Sequence, residues 1–461
     1  MTTLRYFTCS VPQCENPSIR ILGGGCESCN RYLCHSHTSP SFHKCKEILD
    51  DVAYRAQIGV EIGRLRSRID EEAVCKLASR LNDGRSCSIE HSPMTGPGIL
   101  MGATNYHARI RFHDGSLSWF LRVPRVTSYT TGLPDWLVEY LILSEYATLK
   151  FLETTAVPAP RVFGYGITGN ETDQGVGVSF LLIEELPGQP WIGNGSFGGA
   201  DSTEDEKAKV WSAVADILAE LEKHPFPKAG SLCFQSSSIE VSATASDRCI
   251  ALDPEGPFDT SIAYYTAFAE QYLALIADGQ AYTKYPVDAY LVYRFLKDNA
   301  AAQLSQPDTE AQTPEKFFLK HIDDVGDHLL VDENHNVTGI IDWQMARVVP
   351  RREAFGVSLV TADMHALCNG KISLSVNDVA LADALRERGS PELANCMADE
   401  KVRRFFWGLA LEPEWSNALP LADALLKIFG VDQDWTTWRE MALKQYETDE
   451  RLEALLHHVH Q

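Results

Sequence analysis

The chain has 461 residues and a hydrophobic content of 44%, which is typical of a globular protein with sizeable cores and leaves room for about two to four domains. Its net charge of −22, from 63 acidic and 41 basic residues, disfavours a general nucleic-acid binder, since such a protein needs a basic face. No apolar run approaches the ~20 residues of a membrane span and the first residues lack a signal-peptide core, so we expect a cytoplasmic protein without a membrane partner, with the nucleus as an additional location.

Cysteine and histidine residues near the N-terminus could hold two zinc ions. Eight of them occupy 37 consecutive positions, and the step from Cys26 to Cys29 supplies two ligands from one turn. Zinc takes four such ligands in a tetrahedron, and this segment has too few large apolar residues to fold without metal. We therefore predict a two-zinc finger over residues 1–46, with His35 as a rival to His37. Its ligands are Cys9, Cys14, Cys26, Cys29, Cys34, His37, His43 and Cys45.

The spacing of these ligands resembles the AN-one type zinc finger, although the gap between Cys9 and Cys14 is longer than that family's usual two residues. The resemblance implies that the ligand pairs alternate along the chain. One ion would be held by Cys9, Cys14, Cys34 and His37, and the other by Cys26, Cys29, His43 and Cys45. A protein partner for this module is a further expectation.

A helical linker is predicted over residues 47–84, because this stretch is charged, lacks proline and carries apolar residues at intervals of four to five positions. We expect one or two amphipathic helices here, the second running from about Ala73 to Leu81 at the start of the next domain. No catalytic motif lies in this stretch, so packing is its expected role.

The next domain is predicted over residues 85–188 and contains strands and one helix. Apolar and polar side chains alternate from Tyr106 to Phe112, which predicts a half-buried strand, and a return strand follows over residues 117–123. A helix is predicted over residues 136–152, and a buried strand over residues 178–183. A small-residue loop before the first strand could bring backbone N–H groups near phosphates. Its members are Gly102, Ala103, Thr104 and Asn105.

A mainly helical domain is predicted over residues 189–461. Residues 206–224 carry apolar side chains at i, i+3, i+4 and i+7, and Thr203 with Glu206 predicts a capping box at the start of that helix. Further helices are predicted over residues 259–279 and 287–304.

The stretch from His321 to Trp343 is the most informative part of the chain. Residues 329–331 and 337–341 are short apolar runs joined by turn-forming residues, which predicts a hairpin. Asp323 enters the first strand and Asp342 leaves the second, so two carboxylates 19 positions apart can face one cleft. Phosphoryl transfer needs such a pair, because one carboxylate receives the acceptor's hydroxyl proton and the other holds Mg²⁺.

This segment resembles the catalytic and metal loops of the aminoglycoside phosphotransferase and choline kinase group, and its Gly-Asp-His at residues 326–328 is similar to that of fungal members. The resemblance implies an α+β, bilobal protein-kinase-like fold with a β-rich N-lobe and a mainly helical C-lobe, preceded here by the zinc finger. It makes Asp323 the catalytic base, Asp342 the magnesium ligand and His321 a brace for the loop. His328 stands where the family carries a metal-binding Asn. Because neutral imidazole is a poorer Mg²⁺ ligand than an amide oxygen, Asp327 is an alternative ligand.

The same resemblance implies the nucleotide contacts. Residues 102–105 would cover the phosphates, and Arg122 stands in place of the phosphate-pairing lysine. Arginine is always charged, but its reach differs from that of lysine. Glu145 would pair with Arg122. Glu184 and Leu186 lie in the connector between the lobes, where backbone groups would bind an adenine ring.

The expected cofactors are therefore ATP, Mg²⁺ and two Zn²⁺. We expect an ATP-dependent phosphotransferase that acts on a hydroxyl of an unidentified small molecule. The alternative is a kinase-like domain that has lost catalysis and presents the zinc finger to a protein partner. Arg122 and His328 favour this alternative, whereas the retention of Asp323 and Asp342 argues against it.

Overall fold

The structure is a computed structural model that describes ten stretches of the chain and a few single positions near the N-terminus. These are residues 51–91, 104–115, 118–125, 135–192, 202–235, 237–246, 253–305, 314–323, 326–412 and 414–459, with positions 11, 13, 14, 33 and 37; the side chains of residues 51–57, 458 and 459 are outside the description. Of the predicted zinc ligands, Cys14 and His37 are described. The other six predicted zinc ligands lie outside the described residues; they are Cys9, Cys26, Cys29, Cys34, His43 and Cys45. Gly102 and Ala103 of the predicted phosphate loop also lie outside them.

A five-stranded antiparallel sheet organises the first lobe, with strand order β1-β2-β3-β5-β4. Successive side chains of each strand point to opposite faces of the sheet. Tyr106, Ala108, Ile110 and Phe112 of β2 belong to one buried cluster, while the intervening His107 and Arg109 do not. The sequence analysis did not predict the two edge strands of this sheet, β1 and β4. The strands are β1 (Cys87–His91), β2 (Asn105–Phe112), β3 (Trp119–Pro124), β4 (Val162–Gly166) and β5 (Phe180–Glu184).

Two helices, α1 (Asp51–Arg66) and α2 (Glu71–Leu81), cover one face of this sheet. Asp70 caps α2, because its side chain accepts a hydrogen bond from the Ala73 N–H at 2.9 Å. Val74 and Leu77 of α2 are buried in the same cluster as Leu121 of β3. The helices predicted for residues 47–84 are therefore present, and they pack as part of the core of the sheet lobe.

The opposite face of the sheet packs against α3 (Asp135–Leu152). Leu137, Leu141 and Leu149 of this helix are buried with Leu181 and Ile183 of β5. The burial of α3 extends to a charged residue, since Glu145 is only 5% exposed. This helix brings a carboxylate against the strand that carries Arg122.

The second lobe is mainly helical. The capping box predicted for its first helix is confirmed: Thr203 Oγ1 accepts from the Glu206 N–H, and the Glu206 carboxylate accepts from the Thr203 N–H. A single π turn, Leu296–Ala300, separates α6 from α7. The helices are α4 (Glu204–Glu222), α5 (Ser261–Ala277), α6 (Pro286–Phe295), α7 (Ala301–Leu304), α8 (Arg351–Phe355), α9 (Met364–Cys368), α10 (Val376–Glu387), α11 (Pro391–Cys396), α12 (Lys401–Trp407), α13 (Trp415–Ile428), α14 (Trp435–Gln445) and α15 (Glu450–Val459).

Short strands accompany these helices. The predicted hairpin is present, and its first strand also pairs with β6, which follows the connector. The Asp332 carboxylate accepts hydrogen bonds from the Asn334 and Asn336 N–H groups and so closes the hairpin turn. The strands are β6 (Gln189–Pro190), β7 (Ser231–Gln235), β8 (Ser238–Ser242), β9 (Phe317–Lys320), β10 (Leu329–Val331), β11 (Val337–Ile340) and β12 (Arg347–Pro350), with β7 paired to β8 and β9 to β12.

The predicted α+β class, with a β-rich lobe followed by a mainly helical one, is confirmed over the described residues. Within those residues, every helix is too short or too polar to cross a lipid bilayer. The predicted domain boundaries at residues 46, 84 and 188 remain predictions.

Leu77→Ala tests the packing of α2 on the sheet. Leu77 is 6% exposed, so its truncation should lower the free energy of unfolding by roughly 2–5 kcal/mol. Leu81→Ala is the matched control on the same helix, because Leu81 is 41% exposed and should lose less than about 1 kcal/mol. Urea denaturation of both variants measures this difference, and equal losses would show that α2 does not contribute to the core.

Candidate active site

Two carboxylates and an imidazole converge at the open end of the β10–β11 hairpin. Asp323 follows β9, Asp342 follows β11, and His328 lies between them. The His328 Nδ1 is 3.7 Å from Asp323 Oδ2, and its Nε2 is 3.7 Å from Asp342 Oδ2. The pairing of the strands produces this arrangement, because the Ile341 N–H donates to the His328 carbonyl at 2.9 Å and sets the two ends side by side. Asp323 is 63% exposed, whereas Asp342 is 27% exposed.

One hydrogen bond shows which nitrogen of the His328 ring is a donor. Its Nδ1 lies 2.9 Å from the Asp323 carbonyl oxygen. A carbonyl oxygen only accepts, so Nδ1 carries a proton and donates. In the neutral ring, Nε2 therefore presents a lone pair toward Asp342.

His321 and Trp343 hold the backbone on either side of the site. The His321 Nε2–H donates to the Ile341 carbonyl at 2.9 Å, and the Trp343 Nε1–H donates to the Ile340 carbonyl at 2.9 Å. The two rings meet edge to face, with centroids 5.0 Å apart. The hydrogen bond of His321 thus joins the two sides of the site, and the bracing role that the family resemblance implies for it stays a prediction.

The loop that carries Asp342 has an unusual backbone. Asp342 has φ +60° and Met345 has φ +62°. Non-glycine residues in the left-handed region cost roughly 1–3 kcal/mol each, and such strain concentrates at functional sites. The buried Trp343 between them, only 1% exposed, anchors the loop in this conformation.

Arg122 connects the two lobes at this point. Antiparallel pairing places it opposite His107 of β2, and its side chain is 5% exposed. Its Nε donates to Glu145 Oε2 at 3.2 Å, and its Nη2 donates to Asp342 Oδ1. Because a guanidinium only donates, His107 Nε2 accepts from Nη1 at 3.2 Å. One buried cation therefore faces two carboxylates.

The two carboxylates respond oppositely to this shared cation. Burial raises the pKa of Asp342, but the charge of Arg122, followed by that of His328, outweighs it and lowers this pKa to about 2. For Glu145 burial is dominant and raises the pKa from its ordinary 4.5 to about 7, although Arg122 opposes the shift. For Arg122, burial lowers the pKa, but the charges of Asp342 and Glu145 outweigh burial and raise this pKa above its ordinary value. Arg122 and Asp342 are thus the charged pair, and Glu145 titrates near neutrality.

Gln344 is a residue that the sequence analysis missed. Its Oε1 accepts from Asn105 Nδ2 at 2.8 Å and lies 3.4 Å from both Arg122 Nη2 and Thr104 Oγ1. It joins the end of the predicted phosphate loop to the loop that carries Asp342. The one available signal was its position two residues after Asp342.

The connector between the lobes carries Glu184 and Leu186, the predicted adenine contacts. The Glu184 N–H donates to the Arg161 carbonyl at 2.8 Å, so it is already used within the sheet. The Leu186 side chain packs on Gly339 of β11. A cleft of about 530 Å³ lies beside the connector and includes Leu186 but none of Asp323, His328 and Asp342. The connector thus contacts the hairpin through Leu186, and the roles of Glu184 and Leu186 as adenine contacts stay predictions.

The space on the α3 side of Arg122 is filled. The gap bounded by Asn105, Arg122, Glu145 and Gln344 measures about 10 Å³, at the lower limit of the ~10–15 Å³ that one water needs. Phosphate groups would therefore reach Asp342 from the exposed side where Asp323 lies, or after the Arg122–Asp342 pair has separated.

The hairpin residues fit a cation carried by a nucleotide. Over the part of the chain that is described, no three His, Cys, Asp or Glu side chains form a metal-binding group. Nucleotide-bound Mg²⁺ needs fewer than three protein ligands, because phosphate oxygens and water complete the coordination that one or two protein ligands begin. Ligands about 2.1 Å from one ion lie at most ~4.2 Å apart, so Asp342 Oδ2 and His328 Nε2 at 3.7 Å can share an ion. Asp327, 55% exposed, lies 4.0 Å from Nδ1, on the other side of the ring.

Comparison with known proteins gives a family match. The model of the phosphotransferase enzyme family (APH) matches residues 99–369, which is more than half of the chain. No curated protein matches.

Solved structures of similar proteins include three phosphotransferases. A Ralstonia eutropha protein assigned by inference as an aminoglycoside phosphotransferase is 13% identical, covers 82% of this chain and 99% of its own, and has a TM-score of 0.43. A type I macrolide 2′-phosphotransferase is 17% identical, with coverages of 78% and 96% and a TM-score of 0.34. An ethanolamine kinase from Plasmodium vivax is 11% identical, with coverages of 79% and 83% and a TM-score of 0.36. These scores are too low to identify a substrate for this chain.

Glu145→Gln tests the shared cation through the pH dependence of stability. The folded-state pKa of Glu145 is raised to about 7, so its contribution is present below the unfolded pKa of about 4.5 and is lost as the pH rises through 7. Relative to the variant, the wild type should lose up to ~1.4 kcal/mol of unfolding free energy per pH unit between pH 5 and 7. Denaturation of both proteins across this range measures the difference, and a difference independent of pH would contradict the raised pKa of the buried Glu145.

Proposed function

Since this chain belongs to the phosphotransferase enzyme family, we propose that it transfers the γ-phosphoryl group of ATP to a hydroxyl of a small molecule. The observation that carries this proposal is the convergence of Asp323, His328 and Asp342 at one hairpin end. A fungal-type branch of the family is part of the proposal, supported by the Gly-Asp-His at residues 326–328.

Asp323 is the proposed proton acceptor. Its carboxylate is 63% exposed, so an acceptor hydroxyl can approach it from solvent. Its backbone carbonyl accepts from His328 Nδ1–H, which restrains the loop on which the carboxylate stands. A positioned general base of this kind contributes roughly 10²–10⁴-fold to a rate.

Asp342 and His328 are the proposed holders of the nucleotide's divalent cation, with Asp327 as the alternative to His328. When bound, this cation neutralises charge on the β- and γ-phosphates. Arg122 is the proposed phosphate contact and Glu145 its positioning partner, supported by their direct ion pair. Thr104 and Asn105, with Gly102 and Ala103, are the proposed cover of the phosphates, and Gln344 holds Asn105 toward the site.

A second candidate function has one observation in its favour. The Arg122 guanidinium pairs directly with Asp342, the residue that the family resemblance makes a metal ligand. A domain with its metal ligand permanently engaged would be a kinase-like adaptor that presents the zinc finger to a protein partner. Nucleotide binding distinguishes the two candidates, because an adaptor of this kind does not need it.

Asp323→Asn is the direct test of the catalytic proposal. ADP formation with antibiotic, choline-like and sugar acceptors should fall by about 10²–10⁴-fold, because the base is lost. ATP with Mg²⁺ should still raise the melting temperature of the variant as it does that of the wild type, since a ligand that binds the folded state stabilises it.

Asp83→Asn is the matched control, because Asp83 is exposed and has φ +51°, a conformation that Asn tolerates well. It should leave both readouts unchanged. Full turnover in Asp323→Asn would refute the base assignment. The absence of any ATP-dependent shift in the wild type with either Mg²⁺ or Mn²⁺, together with no turnover, would favour the adaptor.

The two-zinc finger over residues 1–46 is a further part of the proposal, supported by the ligand spacing alone. Metal analysis should give two zinc ions per chain, because eight ligands make two tetrahedral sites. Cys26→Ser should lose one ion, while Cys368→Ser, a change at an exposed free cysteine, should lose none. Residues 1–46 should become protease-sensitive on chelation, and protection that survives chelation would exclude the zinc finger.

A further inference from the structure

We propose that the hairpin site binds its nucleotide through a divalent transition-metal ion, such as Mn²⁺ or Co²⁺, in preference to Mg²⁺, because His328 supplies a nitrogen ligand. This inference rests on the proposed nucleotide-dependent function and adds the identity of the cation.

The geometry fixes which atom of His328 faces the cation. Nδ1 is committed as a donor to the Asp323 carbonyl at 2.9 Å, so the lone pair of the neutral ring is on Nε2. That atom lies 3.7 Å from Asp342 Oδ2. Metal-binding histidines are typically oriented in this way, by a hydrogen bond from the other ring nitrogen to a carbonyl or carboxylate.

Asp342 has one oxygen available for the same ion. Arg122 donates to Oδ1, whereas Oδ2 is the oxygen that faces His328. The ligand pair is therefore one carboxylate oxygen and one imidazole nitrogen, which together can bind an octahedral ion completed by phosphate oxygens and water. Asp327 does not change this set, because it lies on the Nδ1 side of the ring.

The nitrogen ligand decides the preference among cations. Mg²⁺ favours oxygen ligands in a strict octahedron at about 2.1 Å and gains little from imidazole. For sites that contain nitrogen, affinity rises from Mn²⁺ toward Co²⁺ and Ni²⁺. An all-oxygen site of the same charge would discriminate less among these ions.

Electron spin echo spectroscopy of bound Mn²⁺ tests the ligand directly. The complex of the full-length protein with Mn²⁺ and the non-hydrolysable methylene analogue of ATP should show ¹⁴N modulation from a directly bound imidazole. Labelling the wild-type histidines with ¹⁵N should replace that pattern with one from ¹⁵N, a result that requires no variant and so no assumption about folding. A spectrum without nitrogen coupling would overturn the proposal.

His328→Asn tests the preference. Asn can still donate to the Asp323 carbonyl, but it offers the cation an oxygen. The affinity ratios of the Mn²⁺ and Co²⁺ nucleotide complexes to the Mg²⁺ complex, measured by titration calorimetry, should fall at least fivefold in this variant. Transition metals also bind the nucleotide itself more tightly than Mg²⁺ does. This effect is the same in the variant and the wild type, so it cancels when their affinity ratios are compared.

His335→Asn is the matched control. It removes an imidazole from the turn of the same hairpin, where φ is +60° and Asn is well tolerated. Its affinity ratios should equal those of the wild type. Equal ratios in wild type and His328→Asn would overturn the cation proposal while leaving the phosphotransferase proposal intact. The loss of nucleotide binding with every cation in the wild type would instead count against both.

Discussion

The buried guanidinium of Arg122 is the ionic interaction that joins the two lobes at the proposed site. It projects from the sheet lobe, pairs with Glu145 of α3 and reaches Asp342 of the second lobe. Removing one member of a buried ion pair costs about 3–5 kcal/mol, because the partner is left uncompensated. Here a single cation compensates two carboxylates. The register of β3 and the position of α3 together place the Arg122 guanidinium beside them.

This arrangement also sets the electrostatics of the proposed site. Burial raises the pKa of Glu145 to about 7 against the opposing charge of Arg122, whereas at Asp342 the charge of Arg122 outweighs burial and lowers the pKa to about 2. A cation at Asp342 would replace part of the charge that Arg122 now provides. The filled space behind Arg122 and the exposed face at Asp323 favour the approach of a nucleotide from the Asp323 side in the proposed function.

The sequence predicted the parts of the molecule whose pattern is local. The hairpin, α3 and the capping box of α4 follow from periodicity, turn residues and cap spacing, and the order of Arg122, Glu145, Asp323 and Asp342 follows from the family resemblance. The edge strand β1 was missed because Cys87–His91 is only half-buried, so its pairing with β2 rather than its own apolar pattern defines it. Gln344 was missed because a neutral side chain has no motif, and its role arises only when the lobes meet. The direct Arg122–Asp342 pair joins residues 220 positions apart and is set by the tertiary fold alone.

His328 shows how the substitution of an expected residue can preserve a site while changing its chemistry. An asparagine at this position would donate its amide to the Asp323 carbonyl and offer its oxygen to a cation at Asp342. The neutral imidazole keeps this polarity, because its proton is on Nδ1 at the Asp323 side and its lone pair is therefore on Nε2 at the Asp342 side. What changes is the ligand atom, from oxygen to nitrogen. This orientation, with one ring nitrogen bonded to a carbonyl and the other directed at a carboxylate, is the one that metal-binding histidines typically adopt, and it supports the proposed cation site.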